Sequence, residues 1–337
     1  MLASVSTVKD TQPNLRRFVE RNLASGIDHM FIFLDAPEAR CERYLADHPH
    51  VTAVVTTETW WNGARPEGLN RRKITNADVI RALLTRYEWA TWLFHIDGDE
   101  IVRIDRERVE ALGSDVKVLH LQPVEAVSRY RAARPRYFKR LLSEDELVLL
   151  TALGSLARPD NHEYFHGHVV GKSGMRPALD VYAGTHRPRD ESGNVVTGLE
   201  ADWLAVLHLE SPSGAEFVRK WANLSTSGPR PRTRSSRTPL LVAIEALNSL
   251  DVEARARKKI LAKLYRLTTE DDLPLLRDLG LVESIDLDER RYSPRQLGEP
   301  VKAEMALKLA AATSMDKQVF RTGSPQQMRE SMTQMDW

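Results

Sequence analysis

The first hundred residues alternate short apolar runs with amphipathic segments, and this alternation restricts the fold more than any other property of the chain. Leu2 to Val8 has the length and composition of a buried strand. Leu15, Phe18, Val19 and Leu23 then recur at helical spacing, with Gly26 where a helix should stop. Met30 to Leu34 predicts a second strand, residues 38–47 a short helix and Val51 to Val55 a third strand. Asn76 to Tyr87 predicts a helix with Val79, Ile80, Leu83 and Leu84 on its apolar side, and a fourth strand ends at Asp97. This β-α-β-α order predicts an α/β fold, a mostly parallel sheet with helices on both faces. Such sheets bind ligands beyond the carboxyl ends of their strands. The ends here carry Lys9 and Asp10, then Asp35, then Asp97 and Asp99.

Beyond residue 105 the rhythm becomes irregular. Val116 to Leu121 and Trp203 to Leu209 read as strands separated by a stretch rich in Gly, His and Arg, and Ser213 to Leu224 has a helical stripe of Phe217, Val218 and Trp221. The run from Gly228 to Arg237, with Arg230, Arg232, Arg234 and Arg237 among Pro and Ser, breaks the pattern as a loop or linker does. Helical periodicity returns over 239–249, 252–267, about 270–280 and about 300–312. A polar terminus of roughly two dozen residues is expected to fray. The expected organisation is therefore a catalytic-type domain over 1–225, a basic loop over 226–238 and a helical extension over 239–337, which offers a surface for an acceptor or a second copy of the chain.

Among 337 residues, 42% are hydrophobic and 28% charged, which is ordinary for a globular protein. A net charge of +1 argues against a nucleic-acid-binding polycation, so any bound anion must be held by a local cluster. The single cysteine, Cys41, excludes an internal disulfide framework and a multi-cysteine zinc site, and suits a reducing cytoplasm. Met1 to Val8 has no positively charged leader pattern, and no run of about 18 apolar residues occurs. Neither secretion nor a transmembrane segment is expected, while peripheral attachment to a membrane stays open.

The run Trp92-Leu93-Phe94-His95-Ile96-Asp97-Gly98-Asp99-Glu100-Ile101 places three carboxylates at the end of a buried strand. Asp97 and Asp99, two residues apart on extended backbone, should point to one side and Glu100 away. The glycine between them would let an anion approach. Such a pair suits Mg²⁺ or Mn²⁺, hard ions that keep open positions for phosphate oxygens. The structural alternative is a polar turn. Lys172 and Arg176, flanking Gly174, are candidates for diphosphate oxygens. Arg71, Arg72 and Lys73 precede the expected helix that holds Asn76, either facing a ligand or forming a charged helix entrance. The arginine-rich run at 230–237 is a solvated linker or a lid that excludes water. Of ten histidines, five (His162, His166, His168, His186 and His208) fall in one part of the chain. The first three could form a transition-metal site, but they match no established zinc spacing and read first as surface and loop histidines that cluster by chance or pair with carboxylates. His208 lies in an apolar strand, where an imidazole needs a partner. Trp60 and Trp61 either stack on a sugar face or pack in the core.

Several blocks together resemble a known family. Val8-Lys9-Asp10-Thr11, Leu15-Arg16-Arg17-Phe18-Val19, Gly26 to Phe33, Asp97-Gly98-Asp99-Glu100-Ile101, Gly171-Lys172-Ser173, Arg176 and Leu207-His208 follow the order and spacing of family 2-type glycosyltransferases of the GT-A fold. The similar subgroup opens with Val-Lys-Asn-Glu and carries Asp-x-Asp-Glu-Phe, and the likeness spans roughly residues 3–222. Asp10-Thr11 replaces Asn-Glu, and Asp35-Ala36-Pro37-Glu38 replaces the family's Asp-x-x-Ser-x-Asp.

The resemblance implies a GT-A-like (Rossmann-like) sheet, a nucleotide-sugar donor, Mn²⁺ or Mg²⁺ on Asp97 and Asp99 with His208 either the third ligand or a satisfied core histidine, and transfer of the sugar to an acceptor hydroxyl. It places Lys9, Asp10, Asp35, Arg72, Asn76, Asp97, Lys172 and Arg176 toward the donor, with Asp35 near the nucleoside. Direct displacement with inversion needs a carboxylate base. Glu125 is the candidate by position, with Asp180 and Asp202 behind it. The rival readings are a metal-dependent phosphoesterase using Asp97, Asp99 and the histidines, and a GT-A-like protein that binds nucleotide or glycan without turnover.

Overall fold

A computed structural model describes residues 1–132, 134–225 and 238–333. In chain order the strands are β1 (Leu2–Val8), β2 (His29–Leu34), β3 (Val51–Val55), β4 (Trp92–His95), β5 (Glu100–Ile104), β6 (Val118–Ala126), β7 (Tyr137–Lys139), β8 (Lys172–Met175), β9 (Leu199–His208) and β10 (Val282–Ser284). The helices are α1 (Gln12–Ala24), α2 (Ala39–Ala46), α3 (Glu58–Trp61), α4 (Leu69–Leu84), α5 (Arg106–Ala111), α6 (Glu144–Ala152), α7 (Asn161–Tyr164), α8 (Gly214–Ser225), α9 (Thr238–Ser249), α10 (Ala254–Thr268), α11 (Leu273–Asp278), α12 (Glu299–Ala311), α13 (Val319–Thr322) and α14 (Pro325–Thr333). The arginines at 230, 232, 234 and 237 lie outside the described residues.

The chain divides into two compact units, Met1–Gln122 with Val170–Val206 and Asp288–Trp337, and Pro123–Val169 with Leu207–Leu287. In the first, β3, β2, β1 and β4 lie side by side and parallel, with Ala3 opposite His29, Met30 opposite Val51 and Leu2 opposite Trp92. Antiparallel β8 and β6 continue the sheet beyond β4, with His95 opposite Ser173 and Leu121 opposite Lys172. This is the expected mixed α/β fold.

The parallel strands are apolar on both faces because both are covered. Met30, Ile32 and Leu34 pack with Leu15, Phe18, Val19, Cys41 and Leu45 of α1 and α2. Phe31 and Phe33 pack with Trp60, Trp61, Ala77, Ile80 and Leu83 on the other face. Both tryptophans are fully buried, which removes them as sugar-stacking candidates. Gly26 ends the α1 turn in the left-handed region at φ 118°, and a Cβ there would lie 3.3 Å from the Tyr292 ring.

Two expectations change here. α4 begins at Leu69, after Gly68 at φ 82°, so Arg71, Arg72 and Lys73 lie within the helix rather than before it. The terminus does not fray throughout, because α14 buries Met328 and Met332 in the same cluster as Ile80 and Leu83 of α4. Flexible thioethers fill such irregular space without the spacing signal that Leu or Ile would give.

In the second unit, the end of β6, β7 and β10 form an antiparallel ribbon with Glu125 opposite Lys139 and Lys139 opposite Val282. One cluster joins Leu147 and Leu150 of α6 to Tyr164, Leu276 and Leu281, and another joins Phe217 and Trp221 to Leu241, Ile244 and Tyr265. A capping box, Ser143 with Glu146, starts α6. No helix among the described residues is long and apolar enough to cross a membrane.

Candidate functional site

In the strand order β3-β2-β1-β4, successive connections run to opposite sides of β1, so the crevice beyond its carboxyl end is the topological switch point. Charged residues collect around that end. Asp35, just after β2, is buried and meets one guanidinium at two points, with Arg72 Nε 2.8 Å from Oδ1 and a hydrogen bond from Nη2 to Oδ2 at 2.9 Å. Arg65 lies 3.7 Å from the same carboxylate.

Just after β4, the chain turns at Asp97 to Glu100. Glu100 N–H donates to the Asp97 carbonyl at 3.0 Å, and the Glu100 carboxylate accepts from Asp97 N–H at 2.7 Å. Glu100 is fully buried and folds back on the turn instead of pointing away, because residues 97–100 form a turn and not a continuation of the strand. Gly98 serves packing, since a Cβ there would lie 3.1 Å from the Val8 methyls at the end of β1.

Asp97 is clamped between two ammonium groups, Lys73 Nζ at 2.6 Å from Oδ1 and Lys172 Nζ at 2.8 Å from Oδ2. Lys172 is fully buried, also donates to the Thr185 carbonyl at 3.0 Å, and lies 3.5 Å from Glu100. Burial alone would raise the Asp97 pKa, but Lys172 and Lys73 outweigh it and hold the carboxyl well below its usual range. Burial lowers the Lys172 pKa and its carboxylate neighbours, Asp97 first, raise it further, so it stays charged. His95 is pushed down to about 4 by burial and by Lys172, and is a neutral imidazole near pH 7 that donates to the Gly184 carbonyl at 2.9 Å.

The other expected donor contacts divide. Lys9 is exposed just past β1, and Asp10 accepts from Thr11 N–H and Asn14 Nδ2 at the start of α1. Asn76 is fully buried, accepting from Trp60 Nε1 at 3.1 Å and donating to Thr7 Oγ1 at 3.0 Å, so it ties α4 to β1 and is closed to ligand. Arg176 does not join the group. Met175 pairs with Leu93, which puts Arg176 at the opposite end of the sheet from Asp97. Its guanidinium lies 4.0 Å over the Trp92 ring and donates to the carbonyls of Thr91, Leu112, Gly113 and Val116.

The second unit holds its own buried polar network. Lys139 Nζ reaches the Tyr164 carbonyl at 2.8 Å, Asp271 at 3.0 Å and Glu125 at 3.2 Å, while Glu125 also accepts the backbone N–H groups of His166 and Gly167. Burial pushes the Glu125 pKa up, but Lys139, His166 and His208 more than reverse it. A carboxylate so stabilised in its charged form is a weak base, and Glu125 reads instead as the organiser of this network. Of the other candidate bases, Asp180 pairs with Arg329 and Asp202 is exposed on β9.

The expected histidine ligand, His208, also belongs to the second unit. Its ring stacks on His168 with centroids 4.8 Å apart, Nε2 lies 3.4 Å from Glu210, and Nδ1 lies 4.0 Å from Glu125. His166 Nε2 lies 3.1 Å from Asp271. The histidines at 166, 168 and 208 thus come together with carboxylates, and His208 with Glu210 offers donors of the kind that hold a divalent ion. His186 pairs elsewhere, with the Gly171 carbonyl at 2.9 Å, and His162 is exposed. Lys139 and Asp271, more than a hundred residues apart, carry no signal in sequence that would pair them.

No protein-family model matches the chain, and no curated protein matches it. Among solved structures, a mannose-1-phosphate geranyltransferase from Thermus thermophilus overlaps at 14% identity with a TM-score of 0.27, covering 52% of this chain and 57% of that one. The chain thus spans little more than half the length of that structure.

Proposed function

We propose that the chain is a transferase that takes a nucleotide-sugar donor at the carboxyl ends of β1, β2 and β4 and passes the sugar to an acceptor hydroxyl. The observation that carries this reading is the pairing of Asp35 with Arg72 and of Asp97 with Lys73 and Lys172 around the switch point of the parallel strands. The family resemblance of residues 3–222 supports the donor class.

In this reading Asp35, oriented by Arg72, accepts hydroxyl hydrogens of the nucleoside. The departing diphosphate gains negative charge as the glycosidic bond breaks, and fixed cations at the site stabilise that charge without reorganising. Attack by the acceptor hydroxyl on the opposite face forms the new C–O bond as the bond to the diphosphate oxygen breaks, gives inversion, and releases the hydroxyl proton to water, since Glu125, Asp180 and Asp202 are not placed to take it.

A divalent ion, when bound, would supply Lewis-acid stabilisation of the same diphosphate. Asp97 does not fit as its ligand, because each carboxylate oxygen already faces an ammonium group within 2.8 Å. Asp99 is the remaining carboxylate of the pair. The same clamp disfavours a phosphoesterase with two metals bridged at Asp97.

Thermal denaturation of the full chain with a panel of nucleotide-sugars, each with Mn²⁺, with Mg²⁺ and with chelator, tests the reading. One nucleotide class should raise the midpoint in wild type and not in Asp35→Asn. At a ligand concentration of about a hundred times Kd, binding adds about 2.7 kcal/mol to stability. No stabilisation by any donor rejects the proposal.

A further inference from the structure

Lys73 and Lys172 flank the same carboxylate but are not equivalent. Lys172 is fully buried and places three acceptors, Asp97, Thr185 O and Glu100, around its three N–H groups. Lys73 reaches Asp97 Oδ1 at 2.6 Å with a side chain that is 13% exposed, and among the described residues no other acceptor engages it. Two of its three N–H donors are therefore uncommitted at the edge of the site. Arg72 and Lys73 are neighbours on α4, and they reach opposite sides of β1: Arg72 holds Asp35 beyond β2, and Lys73 holds Asp97 beyond β4. One turn of helix straddles the switch point, and the ammonium with spare donors is the one nearest the end of β4.

We propose, on the basis of the donor reading above, that Lys73 is the group that binds the diphosphate of the donor, and that Asp97 is a positioning residue for Lys73 rather than a metal ligand. An ammonium is a compact point charge with freely rotating donors, suited to phosphate oxygens whose positions shift during bond cleavage. Held at one corner by Asp97, it keeps two donors for the ligand and loses little freedom on binding. A metal on Asp97 would instead have to approach oxygens already flanked by two positive charges, at the roughly 2.1 Å that Mg²⁺ requires.

The two roles of Asp97 predict opposite signs for one substitution. If Lys73 binds diphosphate, Lys73→Met weakens nucleoside diphosphate binding about ten- to hundredfold, the size of a lost charge-assisted contact. If Asp97 is a metal seat, the same change frees one of its oxygens and tightens binding in Mn²⁺.

The experiment measures affinities of the full chain for UDP, GDP, ADP, CDP and dTDP and for the matching nucleosides, with Mn²⁺ and with chelator. The expected result is loss of diphosphate affinity in Lys73→Met, nucleoside affinity within about twofold of wild type, and recovery to within about fivefold in Lys73→Arg. Asp97→Asn should weaken the diphosphate and leave the ratio of affinities with and without Mn²⁺ unchanged. Should Asp97→Asn not fold, the Lys73 pair decides alone. Wild type that binds none of the diphosphates overturns both this inference and the donor reading. Wild type that binds, with Lys73→Met equal or tighter, or with a Mn²⁺ effect abolished in Asp97→Asn, overturns this inference and leaves the donor reading standing.

Discussion

Replacing Lys172 with Met tests whether the clamp on Asp97 is a structural ion cluster of the first unit. Methionine preserves most of the volume and removes the charge together with its N–H donors, so packing loss is small. What remains is Glu100, fully buried, with its ammonium partner gone, and Asp97 held by Lys73 alone. Removing one partner of a buried pair costs about 3–5 kcal/mol. The retained Asp97–Lys73 contact puts this case at about 3 kcal/mol, a fall in melting temperature of roughly 6–12 °C for a unit of this size.

The penalty should depend on pH with a definite sign. In wild type the Asp97 pKa is depressed on folding, so its stabilisation is present above the unfolded value near 3.8 and is lost as pH falls through the folded value. In Lys172→Met the carboxylates that lose its charge can relieve themselves by protonation, so the gap between variant and wild type should be widest near pH 7.5 and narrow by more than half at pH 4.5. Differential scanning calorimetry across that range measures it, and adding Glu100→Gln to Lys172→Met should restore part of the loss at pH 7.5. A fall of less than 2 °C, or a gap that stays constant with pH, would refute the ion-cluster account.

Arg176→Ala should lower stability by about 2 kcal/mol in urea denaturation, through loss of its stacking on Trp92 and of four carbonyl contacts, and leave nucleotide affinity unchanged; a loss of affinity at unchanged stability would return it to the donor site. In the second unit, burial raises the Asp271 pKa but Lys139 and His166 outweigh it and hold it at about 2. Its contribution, about 2 kcal/mol, should be present above pH 4 and vanish as pH falls toward 2, so Asp271→Asn and wild type should converge in acid denaturation. Met328→Ala empties a fully buried position against α4 and should cost about 2–4 kcal/mol; an effect below 0.5 kcal/mol in the same assay would mean that α14 is not part of the core.

The parallel half of the fold was legible because each of its strands is a short apolar run with a helix of clear period between it and the next. Leu2 to Val8 and Val51 to Val55 are strands with the expected limits. The antiparallel continuation was less legible: β8 is Lys-Ser-Gly-Met, whose glycine is required where a Cβ would lie 2.6 Å from the Phe94 ring, and no hydrophobic alternation marks it. Asp35 follows β2 directly, as expected, and Asp97 lies two residues past β4. Their partners are not legible, since Arg72 and Lys73 read either as facing a ligand or as the entrance to a helix that in fact begins earlier, at Leu69, and neither reading pairs them with these carboxylates. Glu100 reads as a strand residue pointing away, whereas it closes a turn, and Arg176 stands close to Lys172 in sequence, although four residues of extended chain carry it to the far end of β8. The histidines show the same limit, because pairing with carboxylates is among their readings but spacing along the chain does not say that the partners are Asp271 for His166 and Glu210 for His208.

The most direct measurement of the central claim is the release of free nucleoside diphosphate from a panel of sugar nucleotides by the full chain, followed by chromatography with and without a mixture of hydroxyl acceptors. The account predicts that one sugar nucleotide yields its nucleoside diphosphate, faster with acceptor present, and that Asp35→Asn abolishes the release. Release of inorganic phosphate or nucleoside monophosphate instead, or no product from any donor, would contradict it.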